Sequence, residues 1–159
     1  MLWSLSFFSL TLFIFLRSIC YTYYIMKITT KLKVRPYECD SYNHVNNAVY
    51  LNYLETARMD FLEKIGFRYD DFFSAGYFLF VTHVDIHYKV SAKMHEELTI
   101  ETWPVKMGAV SGTMHQIITK PDGSISAEAD VTWGCVSTQG RPSKIPAEFL
   151  VEGLTPDTN

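Results

Sequence analysis

Asp40-Ser41-Tyr42-Asn43-His44-Val45-Asn46-Asn47-Ala48-Val49-Tyr50 is the stretch on which the reading of this 159-residue chain turns. On its N-terminal side, residues 28–38 read as a strand. Ile28, Leu32 and Val34 share one face, and Lys31, Lys33 and Arg35 take the other. Pro36 and the polar run that follows end it. From Asn46 to Ile65 the period becomes helical. Tyr50, Leu51, Leu54, Ala57, Phe61, Leu62 and Ile65 fall at steps of three and four and form one apolar stripe. Asn46 is a suitable N-cap, and Gly66 a suitable residue for the left-handed position beyond the helix end.

Downstream of a loop, residues 67–76, the pattern is that of strands: 77–90, 98–107, 112–120 and 124–136. Pro121-Asp122-Gly123 marks a turn, because Pro presets φ and Gly accepts positive φ. The last segment, from Gly140 onward, reads as loop or short helix. One strand, one long helix and four long strands predict an α+β fold, with an antiparallel sheet curled around the single helix.

The chemistry concentrates where the first strand gives way to the helix. The first backbone N–H groups of a helix have no intrahelical acceptor and carry partial positive charge. Asp40 stands seven residues before the Asn47 amide. A carboxylate supplies a nucleophile or general base, and a helix-terminal N–H supplies a donor for a carbonyl oxygen that gains charge. That pairing is the minimal equipment for acyl transfer.

The run DSYNHVNNAVYLNYLETAR, residues 40–58, resembles the hotdog-fold thioesterases of the 4-hydroxybenzoyl-CoA thioesterase type. Their pattern is approximately D-x-x-G-H-V-N-N-x-x-Y-x-x-x-x-E-x-A-R. Asp40, His44, Val45, Asn46, Asn47, Tyr50, Glu55, Ala57 and Arg58 match it in register. The resemblance extends over about residues 28–148. It implies a hotdog subunit, a homodimer or homotetramer, and hydrolysis of an acyl-CoA or acyl-carrier-protein thioester without metal or other cofactor. By the same resemblance the catalytic carboxylate falls on Asp40 and the carbonyl-polarising N–H on Asn47. His44 and Tyr50 stand beside them as substrate-binding candidates. One position departs: Asn43 replaces the usual Gly. Asn is the non-Gly residue that best tolerates left-handed backbone, so the turn is expected to survive.

Each of these residues also has a plainer reading. Asp40 alone would serve as a turn carboxylate, His44 as the maker of a turn-shaping hydrogen bond, Asn46 as a cap and Tyr50 as core. Glu55 and Arg58, three apart on the helix, are expected to pair. Cys39 is an unsuitable nucleophile, because a neighbouring carboxylate raises a thiol pKa. His83, Asp85 and His87 share a strand face, but positions two apart lie about 6.5 Å from each other, too wide for one ion. A solvated face or a subunit contact suits them better. Lys89, Lys93 and Lys106 are candidates for meeting CoA phosphates, or plain surface lysines. Three other functions are weighed: an acyl-carrier-protein thioesterase, a hydratase or dehydratase on the same fold, and a non-catalytic acyl-CoA binding module. The second needs a different Asp/His dyad, and an intact Asp40 argues against the third.

Composition bounds the remainder. The formal net charge is -3 and no long basic stretch occurs, which excludes a nucleic-acid binder acting by phosphate neutralisation. The cysteines Cys20, Cys39 and Cys135 have no paired spacing, so neither a disulfide framework nor a zinc site is expected, and a cytoplasmic setting is. Residues 1–25 carry a single charge, Arg17. The uncharged part before it would span about 24 Å as a helix, short of a hydrocarbon core. The expectation is an apolar extension at 1–25, translated from upstream of a start at Met26 or else a membrane anchor. The hotdog domain is expected at 26–150 and a tail at 151–159.

Overall fold

The computed structural model describes residues 26–156; the expectations for residues 1–25 lie outside them. Among the described residues there are five strands and two α-helices. In chain order they are β1 (Ile28–Lys33), α1 (Asn47–Lys64), α2 (Tyr69–Ser74), β2 (Tyr77–Tyr88), β3 (Glu97–Met107), β4 (Ser111–Thr119) and β5 (Ile125–Ser137). The strands form one sheet in the order β1-β3-β4-β5-β2, and every neighbouring pair is antiparallel. Among the described residues no helix is long and apolar enough to cross a membrane.

Alternation along β3, β4 and β5 explains the layering. Leu98, Ile100 and Thr102, then Met114, Gln116 and Ile118, then Ala127, Ala129, Val131 and Trp133 all turn inward and are buried. Against them α1 lays Tyr50, Tyr53, Leu54, Ala57, Phe61 and Leu62. The core thus sits between one helix and the concave face of one sheet. At the far end of the helix, Phe67, Phe72, Phe149 and Leu154 close it. Leu154, in the segment read as a tail, is 1% exposed, so the chain stays docked well past residue 150.

Four local readings differ from the pattern. β1 stops at Lys33, and Pro36–Glu38 forms a 3₁₀ turn, because Pro has no N–H to continue a ladder. The helix stripe is rotated: Tyr53 is buried and Leu51 is 42% exposed. Tyr53 sinks because its hydroxyl finds Glu38 (2.7 Å), which satisfies the polar end of a buried aromatic. The loop after α1 contains α2, six residues held by Phe72. In β2 the register slips between Val81 and His83. That bulge reverses which parity faces inward, so alternation is legible only in the strand's second half.

Gly112 shows how tightly the sheet is filled. A Cβ there would stand 2.5 Å from Trp133 Cζ2 and 3.0 Å from the Lys106 carbonyl oxygen. The Trp ring can shift but the carbonyl cannot. Gly112→Ala is therefore expected to cost about 1–3 kcal/mol, read as a lower urea midpoint in an equilibrium unfolding titration.

Candidate active site

Residues 39–45 fold back as a small hairpin. Cys39 bridges Val45, the Asp40 N–H donates to the His44 carbonyl (2.8 Å), and the Asn43 N–H donates to the Asp40 carbonyl (3.0 Å). The turn needs a left-handed residue, and Asn43 takes that role with φ 61°. The substitution of Gly by Asn is thus accommodated by the backbone Asn tolerates best. Val45 ties the hairpin to the core through its N–H on the Ala92 carbonyl (2.9 Å).

The two carboxylate oxygens of Asp40 differ. Oδ1 accepts the Tyr42 N–H (2.9 Å) and, more loosely, the His44 N–H (3.4 Å). Oδ2 has no donor among the described residues. One oxygen is thereby held by the loop while the other stays available. His44 shapes the turn through its main chain; its ring makes no hydrogen bond among the described residues and lines the cleft instead.

Two contacts fix the start of α1. The Asn46 N–H donates to the Glu38 carbonyl (2.9 Å), and Asn46 Oδ1 accepts the Ala48 N–H (2.9 Å). The Val49 N–H closes on the Asn46 carbonyl (2.9 Å), and the Tyr88 hydroxyl donates to the Asn47 carbonyl (3.0 Å). Peptides on either side of the Asn47 nitrogen are thus pinned, and its N–H has no acceptor among the described residues. Below it, the Tyr50 hydroxyl accepts the Ala92 N–H (3.1 Å) and pairs with Ser126 Oγ (3.0 Å). Tyr50 is therefore both core and cleft floor, and it is 3% exposed. Burial, then the nearness of Tyr50, raises the Tyr88 pKa. Burial and the Glu38 carboxylate raise that of Tyr53 much further. Both phenols stay neutral donors.

Asp40, His44, Asn47 and Tyr50 line one cleft of about 290 Å³. Tyr88, Lys89 and Ser126 line it as well, and sequence reasoning missed Tyr88 and Ser126. Tyr88 ends an edge strand, where no local signal distinguishes it; Ser126 lies in β5, where a lone Ser reads as filler. A wider hollow of about 800 Å³ opens near Gly66, Asp70 and Asp71. It lies at the other end of α1, about 27 Å along the axis from the Asp40 loop, and takes no part in the site.

Other candidates separate. Arg58 does not pair with Glu55; its Nη1 donates to Gln116 Oε1 (3.0 Å). The guanidinium reaches inward to a buried amide while Glu55 stays in solvent. His87 Nε2 lies 3.5 Å from Asp85 Oδ1, and among the described residues no group of three or more His, Cys, Asp or Glu is placed to hold a metal ion. Lys89 forms an ion pair with Glu128 on the outer sheet face. Cys39 and Cys135 are free thiols.

A carboxylate oxygen without a partner and a helix-terminal N–H without a partner, in one cleft, equip the site for attack on an activated carbonyl. Residues 34–152 match the family model described as "Thioesterase-like superfamily". The chain belongs to the thioesterase-like superfamily. It is a thioester hydrolase on the hotdog fold, an α+β sheet around one helix. Escherichia coli long-chain acyl-CoA thioesterase FadM is 37% identical over 109 residues, 67% of this chain and 81% of the relative. Arabidopsis thaliana acyl-acyl carrier protein thioesterase ATL3 is 29% identical over 126 residues, 75% of this chain and 63% of that protein. Among solved structures, the DHNA-CoA thioesterase of Staphylococcus aureus superposes with a TM-score of 0.71 at 23% identity, covering 77% of this chain and 81% of that one. The hydratase and binding-module alternatives have no counterpart among these relatives.

The cap is the part of the site most open to a stability test. Asn46→Ala removes the acceptor for the Ala48 N–H, so it is expected to cost about 0.5–2 kcal/mol. Hydrogen exchange should then quicken at Ala48 before the global midpoint moves much.

Proposed function

We propose that this thioesterase hydrolyses acyl-CoA thioesters with Asp40 as the carboxylate and the Asn47 N–H as the oxyanion donor. The observation that carries the reading is the shared cleft: Asp40 and Asn47 both line it, and Asp40 Oδ2 and the Asn47 N–H are both unpaired among the described residues. Along one route Oδ2 attacks the thioester carbonyl, the C–S bond breaks, the thiol leaves with a proton from water, and a second water hydrolyses the mixed anhydride. Along the other, Oδ2 takes a proton from water as that water attacks, the C–S bond breaks, and the thiolate leaves with that proton. Either way the carbonyl oxygen gains negative charge, and the rigid Asn47 amide at the positive end of α1 stabilises it. Products are the free acid and CoA. His44 and Tyr50 bound the space for the acyl-thioester moiety. The similarity to FadM favours CoA as the carrier. The similarity to ATL3 supports a second reading, an acyl carrier protein, which the same assay with acyl-carrier substrates decides.

Asp40→Asn keeps the turn-forming oxygen and removes the charge. It is expected to lower kcat by roughly 10²–10⁴ with KM little changed. Asn47→Pro deletes the N–H alone. Asn46 has ψ 137°, which a following proline requires, and Pro suits a first helical position. Asn47→Pro should therefore fold and lose far more activity than Asn47→Ala. Thiol release from a panel of acyl-CoAs reads both. An Asp40→Asn enzyme within about threefold of wild type sinks the reading.

Assembly is expected to accompany activity. β2 is a twelve-residue strand with one unpaired edge, and Phe80 and Val81 on it are exposed. Such an edge invites pairing, and a second copy that adds its own β2 would extend the sheet. Light scattering should show a dimer or tetramer. A fully active monomer at micromolar concentration would overturn this.

A further inference from the structure

β5 carries an extra residue where it borders the Asp40 cleft. Ile118 of β4 pairs with Ala127 and Thr119 pairs with Ile125, so Ser126 has no partner on β4. A bulge of this kind re-aims a side chain. Ser126 and Ala127 are consecutive and both buried, where plain alternation would send one of them outward. The Ser126 carbonyl takes the Lys89 N–H (2.8 Å) and the Val90 N–H (3.3 Å). Ser126 lines the cleft that Asp40 and Asn47 line, and the reaction above does not use it.

Beneath the helix start, three hydrogens meet two hydroxyl oxygens. The Ala92 N–H donates to the Tyr50 hydroxyl (3.1 Å), and Tyr50 Oη stands 3.0 Å from Ser126 Oγ. Two hydroxyls share one hydrogen between them, and a phenol, being more acidic than an alcohol, is the better donor. Tyr50 therefore accepts from Ala92 and donates to Ser126 Oγ. Each oxygen has a partner, but the Ser126 hydrogen is left over, since Oγ meets no other group among the described residues. Ser126 is 1% exposed, and a buried donor with no acceptor is costly. Its outlet is the cleft. The surroundings put that hydroxyl beside the Asn47 amide. Tyr50 lies one turn along α1 from Asn47, and helical side chains lean back toward the helix start. The Tyr88 ring packs on the Tyr50 ring, centroids 5.3 Å apart, and the Tyr88 hydroxyl touches the Asn47 carbonyl. Ala92, which holds Tyr50, also takes the Val45 N–H from the Asp40 hairpin (2.9 Å). Ser126 adjoins the site from the sheet side, and Asn47 from the helix side.

We propose that Ser126 is a second oxyanion donor, its hydroxyl hydrogen meeting the thioester carbonyl oxygen together with the Asn47 N–H. This rests on the acyl-CoA thioesterase reading and adds a catalytic residue to it. A carbonyl oxygen has two lone pairs, so two fixed donors can hold the charge that develops on it. Asp40 Oδ2 receives no hydrogen bond from Ser126. The hydroxyl is thus not committed to the carboxylate, whose charge stays available for the attack.

Ser126→Ala deletes the donor. It should lower kcat by about 10²–10³ and leave KM within about threefold of wild type. A Ser126 that only supported Tyr50 would cost stability and leave kcat alone. The direct readout is the infrared carbonyl band of a bound thioester, recorded on Asp40→Asn so that turnover does not consume it. The probe is the acyl-CoA that wild type hydrolyses fastest, isotope-labelled at its carbonyl carbon. Binding should move the band to lower frequency, and Asp40→Asn/Ser126→Ala should lose a large part of that shift. Ser126→Cys is close in size and a weaker donor. It should fall between serine and alanine in both measurements, and it decides if Ser126→Ala does not fold. An equal band shift with and without the hydroxyl overturns the inference. So does folded Ser126→Ala with kcat within about threefold of wild type. Either result leaves the thioesterase reading standing, since that reading turns on Asp40→Asn. If wild type hydrolyses no acyl-CoA at all, both readings fall.

Discussion

The Asn46 N–H on the Glu38 carbonyl is the contact that ties the site together. It sets where α1 begins relative to the loop that carries Asp40. Glu38 is in turn held from both sides, since its carboxylate accepts the Arg35 N–H (2.6 Å) and the Tyr53 hydroxyl (2.7 Å). The 3₁₀ turn that shortens β1 therefore has a purpose. It brings a carbonyl under the helix start and a carboxylate beside the helix's first buried turn. The helix cannot slide along its axis without breaking the Tyr53 contact. Asp40 thereby keeps its register with the Asn47 amide.

In the proposed mechanism, that arrangement separates anchoring from chemistry within single groups. Asp40 uses Oδ1 to hold the loop, and Oδ2 has no donor among the described residues. Asn46 spends its side chain on Ala48 and its N–H on Glu38, so the adjacent Asn47 N–H is the first amide left over. The Tyr88 hydroxyl occupies the Asn47 carbonyl from the other side. A donor that is fixed before substrate arrives needs no reorganisation when charge develops, and this is what makes backbone amides effective in such sites. The cost of an unpaired N–H at a helix end is already part of every helix, so the site takes it up at no added expense to the fold.

Much of this was legible in the sequence because it depends on local chemistry. The helix bounds follow from Asn46 and Gly66, the turn from Asp40 and Asn43, and the antiparallel sheet from alternation in three strands. What escaped depends on distant partners. Tyr53 sinks and Leu51 rises because Glu38 waits on a neighbouring turn, which no helical wheel shows. Arg58 prefers Gln116, 58 positions away, to Glu55 one turn back, because only β4 places an acceptor in the interior. The β2 bulge hid its own strand, since one extra residue reverses parity and makes half the run look irregular. Tyr88 and Ser126 joined the cleft through sheet topology alone.

The buried polar groups decide how the two ends of α1 divide the work. Tyr50, Ser126 and the Ala92 N–H satisfy one another beneath the Asn47 end, and Gln116, Thr102 and the Leu54 carbonyl satisfy one another beneath the middle. No buried side-chain polar atom lacks a partner among the described residues. Arg58 joins this network from a half-buried position, giving Nη1 to Gln116 Oε1. Replacing both Arg58 and Gln116 by apolar residues of similar size would be nearly neutral for stability if the pair were only packing.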